Sequence, residues 1–87
     1  MTLTLLTRAY CHLCDEMLAA VRPVAAANAA SIAVVDVDAD SALEAEYGDH
    51  VPVLFAGAPG EGRELCRHRF DRARVVAALA ASGPAYD

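Results

Sequence analysis

With 87 residues, the chain has room for one domain and a single modest core. Its hydrophobic fraction of 56% rests largely on alanine, with no tryptophan, so the core is expected to be compact and aliphatic. A formal charge of −5 and the absence of lysine argue against nucleic-acid binding, which depends on basic side chains neutralising phosphates. No apolar run approaches the roughly 20 residues that cross a bilayer. The N-terminus shows no basic region leading into a hydrophobic stretch and cleavage site. A single domain over residues 1–87, cytoplasmic and without membrane attachment, is the expectation.

Along the chain, Thr2 to Thr7 alternates threonine with leucine and predicts a strand. Arg8-Ala9-Tyr10 forms a loop. From Leu13 onward Met17, Val21 and Val24 recur at helical spacing, with Leu18 and Ala25 widening the apolar stripe. Asp15 and Glu16 fall in the first turn, where the helix dipole favours acids. Pro23 predicts a kink near Ala19 to Arg22 without ending the helix, since alanines continue to Ala27 and beyond.

Ile32 to Val37 reads as a second strand, apolar enough to be central. A short helix from about Ser41 to Tyr47 follows, with Ser41 and Glu44 spaced as a capping box and Gly48 as its stop. Val51 to Phe55 is a third strand with Pro52 near its start, where a missing N–H is tolerated. Gly57 through Gly62 makes a turn, and Glu64 to Arg67 returns as a fourth strand in a hairpin. Asp71 predicts the N-cap of a last helix carrying Val75, Val76 and Leu79, ended by Gly83-Pro84 and followed by a frayed tail. The order is β-α-β-α-β-β-α. Right-handed crossovers make the first strands parallel and the closing hairpin antiparallel, in a four-stranded mixed sheet flanked by helices on both faces.

The chemistry is concentrated in Tyr10-Cys11-His12-Leu13-Cys14, at the junction of the first strand and first helix. Two thiols separated by two residues at such a junction are the layout of a thiol–disulfide redox site. Cysteines three apart can close a disulfide across the first turn, and the unsatisfied N–H groups there lower the pKa of an exposed thiol. The loop is too short for cross-linking to contribute much stability. Three cysteines also make an odd count, which fits a catalytic or metal role in a reducing compartment better than a disulfide framework.

The segments Arg8 to Cys14, Val35-Asp36-Val37-Asp38 and Tyr47 to Leu54 resemble the bacterial glutaredoxin-like proteins of the thioredoxin superfamily, and the likeness covers nearly the whole chain. The resemblance implies a thioredoxin-like fold, Cys11 as nucleophile and Cys14 as resolving thiol. It further implies a cis peptide at Val51–Pro52 facing the cysteines, with the backbone before the proline pairing with an extended substrate. Arg8 stands where glutaredoxins often carry a basic residue beside the thiolate. Two departures are visible: His50 replaces the threonine of the Thr-Val-Pro triplet, and Leu65 to Asp71 lacks the Gly-Gly and Asp cluster that helps bind glutathione.

The expected activity is thus disulfide exchange on a disulfide-containing protein or small thiol substrate. No cofactor is expected to be bound; glutathione is a possible reductant, and the domain is expected to be a monomer. Tyr10, His12, Val51 and Pro52 join Arg8 as candidate substrate-binding residues. His12 either stabilises the thiolate when protonated or is an exposed first-turn residue. Tyr10 either shields the thiol and stacks on substrate or packs on the first helix. Cys66 reads first as a small buried hydrophobe. Zinc held by His12, His50, Cys66 and His68 matches no standard ligand spacing, so no metal is expected. The arginines from Arg63 to Arg74 read as a solvated face. A thioredoxin-fold binding module and a metal or iron–sulfur carrier remain as alternatives.

Overall fold

The computed structural model describes residues 1–59 and 61–81. It contains strand β1 (Thr2–Thr7), helix α1 (His12–Ala27), strand β2 (Ser31–Asp36), helix α2 (Ser41–Tyr47), strands β3 (Val53–Ala56) and β4 (Arg63–Arg67), and helix α3 (Arg72–Ala81). The strands form one sheet in the order β2-β1-β3-β4. β1 pairs parallel with β2 and antiparallel with β3, and β4 pairs antiparallel with β3. The chain has the predicted β-α-β-α-β-β-α order and the mixed sheet.

Alternation along the strands divides the core into two layers. Leu3 and Leu5 of β1, Leu54 of β3 and Leu65 of β4 meet Met17, Val21, Val24 and Ala25 of α1 and Val75, Ala78 and Leu79 of α3. On the opposite face Leu6, Val53 and Phe55 meet Val37 and Tyr47. The Tyr47 and Phe55 rings stand edge to face with centroids 5.4 Å apart, an arrangement their quadrupoles favour. The registers Leu5↔Leu54 and Leu6↔Val53 keep each pair on its own face. A one-residue slip would exchange the two cores.

Three sequence expectations change, and one register irregularity is new. β2 is an edge strand, not a central one, because β1 has partners on both sides. Ser31, Ala33, Val34 and Asp36 are exposed along it, and an apolar run alone does not report which strand is paired twice. Val37 leaves that strand and enters a 3-10 turn, Val37–Ala39, that seals the second core. The cap of α2 is Asp40, whose Oδ1 accepts from the N–H groups of Ala42 and Leu43 at 3.0 and 3.2 Å, so Ser41 is the first helical residue. The β3–β4 register skips Leu65, pairing Leu54 with Cys66 and Phe55 with Glu64, and this bulge turns Leu65 into the first core.

α1 continues unbroken through Pro23, which sits on its exposed side. The helix ends in a Schellman arrangement: Ala30 N–H donates to Ala25 O at 2.9 Å and Ala29 N–H to Ala26 O at 3.3 Å, with Ala29 left-handed at φ 55°. Asp71 caps α3 as expected, its Oδ1 accepting from Arg74 N–H at 3.0 Å. Gly83-Pro84 and the tail lie outside the described residues. No helix among the described residues is long and apolar enough to cross a membrane.

Candidate functional site

The sheet registers place the candidate residues at one end of the molecule. Leu6 pairs with Val53, and Val53 pairs with Arg67. The chain leaving β1 toward Cys11, the Val51–Pro52 segment entering β3 and His68 leaving β4 therefore start from adjacent strand ends. His68 N–H donates to Pro52 O at 2.8 Å, extending the ladder by one bond past β4. Leu13 of α1 lines a groove together with His68, which brings the start of the helix to the same place. The Val51–Pro52 peptide is cis.

Cys11 is the N-cap of α1. Its backbone is extended, at φ −102° and ψ 101°, and its sulfur accepts the Cys14 N–H at 3.1 Å. It is half-buried, whereas Cys14, one turn into the helix, is only 2% exposed and faces the core. The Cα atoms are 5.2 Å apart and the sulfurs lie close enough to be a disulfide. The apolar stripe of α1 explains the asymmetry. Cys14 begins the buried series continued by Met17, Val21 and Val24, while Cys11 precedes the helix on the solvent side.

Arg8 makes a structural junction. Its Nε and Nη2 donate to Asp38 at 3.2 and 2.7 Å, Nη2 also to Glu44 at 3.2 Å, and Nη1 to the Gly48 carbonyl at 2.9 Å. Four of the five guanidinium N–H donors are thereby engaged, tying the loop after β1 to the 3-10 turn and to the middle and C-terminal end of α2. The hydrogen bond from Arg8 holds the Asp38 carboxyl below the usual carboxylate range, and Asp38 and Glu44 together raise the guanidinium. Gly48 leaves room for the Glu44 carboxylate in this junction, since a Cβ there would stand 2.7 Å from its Oε2. These bonds give Arg8 a part in holding the loop that leads from β1 to Cys11.

The remaining candidates divide by contact. His12 is highly exposed and reaches along the helix to Glu16, Nε2 to Oε2 2.8 Å, which favours the exposed first-turn reading. His50 stands with its ring 6.0 Å from that of His68. Tyr10 is fully exposed with a left-handed backbone at φ 59°, so it does not pack on α1. The groove lined by Leu13, Glu16, Met17, Ala20, His68, Arg69 and Phe70 measures about 370 Å³.

The match to known proteins follows the same boundaries. The family model described as "Glutaredoxin-like domain (DUF836)" matches residues 2–80. The chain belongs to that family. Among solved structures, this glutaredoxin-like domain is similar to protein Ne2328 from Nitrosomonas europaea, at 36% identity over 90% of this chain and 89% of that one, with a TM-score of 0.77. It is also similar to protein XcR50 from X. campestris, at 43% identity over 91% and 96% of the two chains and a TM-score of 0.67. Thioredoxin 1 from Thermosipho africanus covers 94% and 93% of the two chains at 20% identity and a TM-score of 0.66, a likeness that shows the thioredoxin fold. No curated protein matches the chain.

The glutaredoxin-like domain carries a second concavity of about 730 Å³ where β4 runs into α3. It is lined by Cys66 and by Arg67, Arg69, Arg72 and Arg74, and includes neither Cys11 nor Cys14. Arg67 is committed to Glu64 through a two-pronged ion pair at 2.6 and 2.7 Å, which lowers the Glu64 carboxyl. Cys66 is half-buried against the first core, and burial pushes its thiol up. Among the described residues no group of three or more His, Cys, Asp or Glu is arranged to hold a metal. Sequence reasoning missed Asp38 and Glu44 as partners of Arg8. The signal available was the clustering of acids from Asp36 to Asp49 with no basic residue among them.

Proposed function

We propose that this domain is a small thiol–disulfide oxidoreductase acting through Cys11 and Cys14. The observation that carries the reading is the asymmetry of the pair: a half-exposed sulfur at a helix N-cap and a buried one within disulfide reach. The thiolate is the nucleophile in exchange, and helix N–H groups stabilise it. The Cys11 thiolate attacks one sulfur of a substrate disulfide, forming a mixed disulfide and expelling the first substrate thiolate. The Cys14 thiolate then attacks the Cys11 sulfur and releases the second. Two electrons pass to the substrate, and the protein is left with the Cys11–Cys14 disulfide. A reducing thiol, glutathione or a separate reductase, restores the dithiol.

In this reading Val51 and Pro52 border the substrate groove, and the backbone before Pro52 pairs with an extended substrate as an added strand. Substrates are disulfide-containing proteins or small thiol compounds, no cofactor is bound, and the domain works as a cytoplasmic monomer.

The test is capture. Cys14→Ser keeps the attacking sulfur and removes the resolver, so incubation with disulfide substrates is expected to accumulate a mixed disulfide on Cys11. The adduct should be released by reductant and absent from the Cys11→Ser/Cys14→Ser double variant. If Cys14→Ser forms no adduct on Cys11, the exchange mechanism is wrong.

A further inference from the structure

We infer that Tyr10 and Leu13 make this domain selective for polypeptide disulfides with an apolar residue next to the cysteine; the inference rests on the exchange reading above. Among the described residues the exposed large hydrophobics are Met1, Tyr10, Leu13 and Val34. Met1 precedes β1 at the end away from the cysteines, and Val34 lies on the edge strand β2. The other two flank Cys11, one residue before it and two after. Scattered exposed apolar side chains are ordinary, but two bracketing a half-exposed thiol form a contact surface.

The backbone strengthens the case. Tyr10 has φ 59°, a left-handed conformation that disfavours bulky side chains and that glycine adopts freely. Its ring belongs to neither core cluster and is fully exposed. The fold therefore gains nothing from a tyrosine here, yet a fully exposed ring is carried on the residue immediately before Cys11. Strained, solvent-facing residues of this kind mark contact positions. On the other side of Cys11, Leu13 opens onto the groove of about 370 Å³, whose rim carries Glu16, His68 and Arg69 and whose apolar part, Met17, Ala20 and Phe70, offers a seat for a side chain flanking the substrate cysteine. An aromatic anchor and an adjoining recess discriminate by apolar contact. Small disulfides present nothing to fill them.

Three probes separate the possibilities, with dithiothreitol as reductant: a synthetic peptide disulfide with phenylalanine beside one cysteine, the same peptide with serine there, and hydroxyethyl disulfide. The intact domain is expected to reduce the phenylalanine peptide with a kcat/KM about tenfold or more above that for the serine peptide, the scale of one apolar side-chain contact. Tyr10→Gly and Leu13→Gln are each expected to bring that ratio toward one, mainly through KM. Tyr10→Phe should retain it, because the ring makes the contact. Circular dichroism of each variant reports folding, and Tyr10→Gly should melt no lower than the parent. Equal rates on the two peptides, or a ratio unchanged in both Tyr10→Gly and Leu13→Gln, would overturn the inference and leave disulfide exchange standing. A parent domain inert toward all three probes overturns both.

Discussion

Cys11 and Cys66 are chemically the same side chain in opposite settings. Cys11 caps a helix, accepts an N–H bond and meets solvent; Cys66 lies half-buried on a strand, where burial raises its thiol. Because the thiolate is the reactive species, a raised pKa lowers reactivity at neutral pH roughly tenfold per pKa unit. In the reduced Cys14→Ser variant, iodoacetamide at pH 7 is expected to modify Cys11 at least about tenfold faster than Cys66, measured by mass spectrometry over a time course. Comparable rates would remove the helix-start argument for Cys11. The helix-start setting of Cys11 and a buried Cys66 were both legible in the sequence; that Cys66 is only half-buried was not. For Arg8 likewise the basic group was visible, while its direction depended on where Asp38, Glu44 and Gly48 came to rest.

At the level of elements, ends proved harder to read than interiors. The stripe of α1 and the alternation of β1 follow from local periodicity, because each buries one side of a regular structure. The end of α1 is another matter. The Schellman arrangement puts an alanine, Ala29, where glycine is usual, so no composition signal announces it. That position offers a direct test. Ala29→Gly relieves the left-handed strain, of roughly 1–2 kcal/mol, and adds back part of it as unfolded-chain entropy. A net stabilisation of about 0.5–1 kcal/mol is expected from urea denaturation, and a destabilised variant would contradict the assignment. α2 shows the same difficulty at its start, where Asp40 and Ser41 are both competent caps and the 3-10 turn before them selects Asp40.

Across the whole molecule, one sheet with two differently populated faces holds the site. α1 and α3 cover one face, while α2 and the 3-10 turn cover the other. The Arg8 junction joins the second layer to the loop that leads to Cys11. Its pH dependence has a definite sign. The Asp38 carboxyl is lowered in the folded protein, so its contribution is present above the ordinary carboxylate range and is lost as pH falls through the folded value. Asp38→Asn is therefore expected to lower the urea midpoint at pH 7, with the gap to the parent closing in acid only once pH has fallen through the lowered folded value of Asp38. Because both partners are partly solvent-accessible the difference should be small and should shrink with added salt. A gap that persists unchanged into acid would show that the residue acts through packing, not through the ion pair.

By itself the sequence determined the periodicities, the strand and helix order and the placement of a Cys-x-x-Cys pair at a strand-to-helix junction. These are local properties, set by spacing along a few turns of chain. It did not determine which strand lies in the middle, where β4 bulges, which acids hold Arg8, or that Tyr10 faces solvent. Each of those depends on groups distant in sequence, brought together only when β1 gains partners on both sides. The cysteine pair was written in the chain; the half-exposed and buried members of it were assigned by the core that α1 packs against.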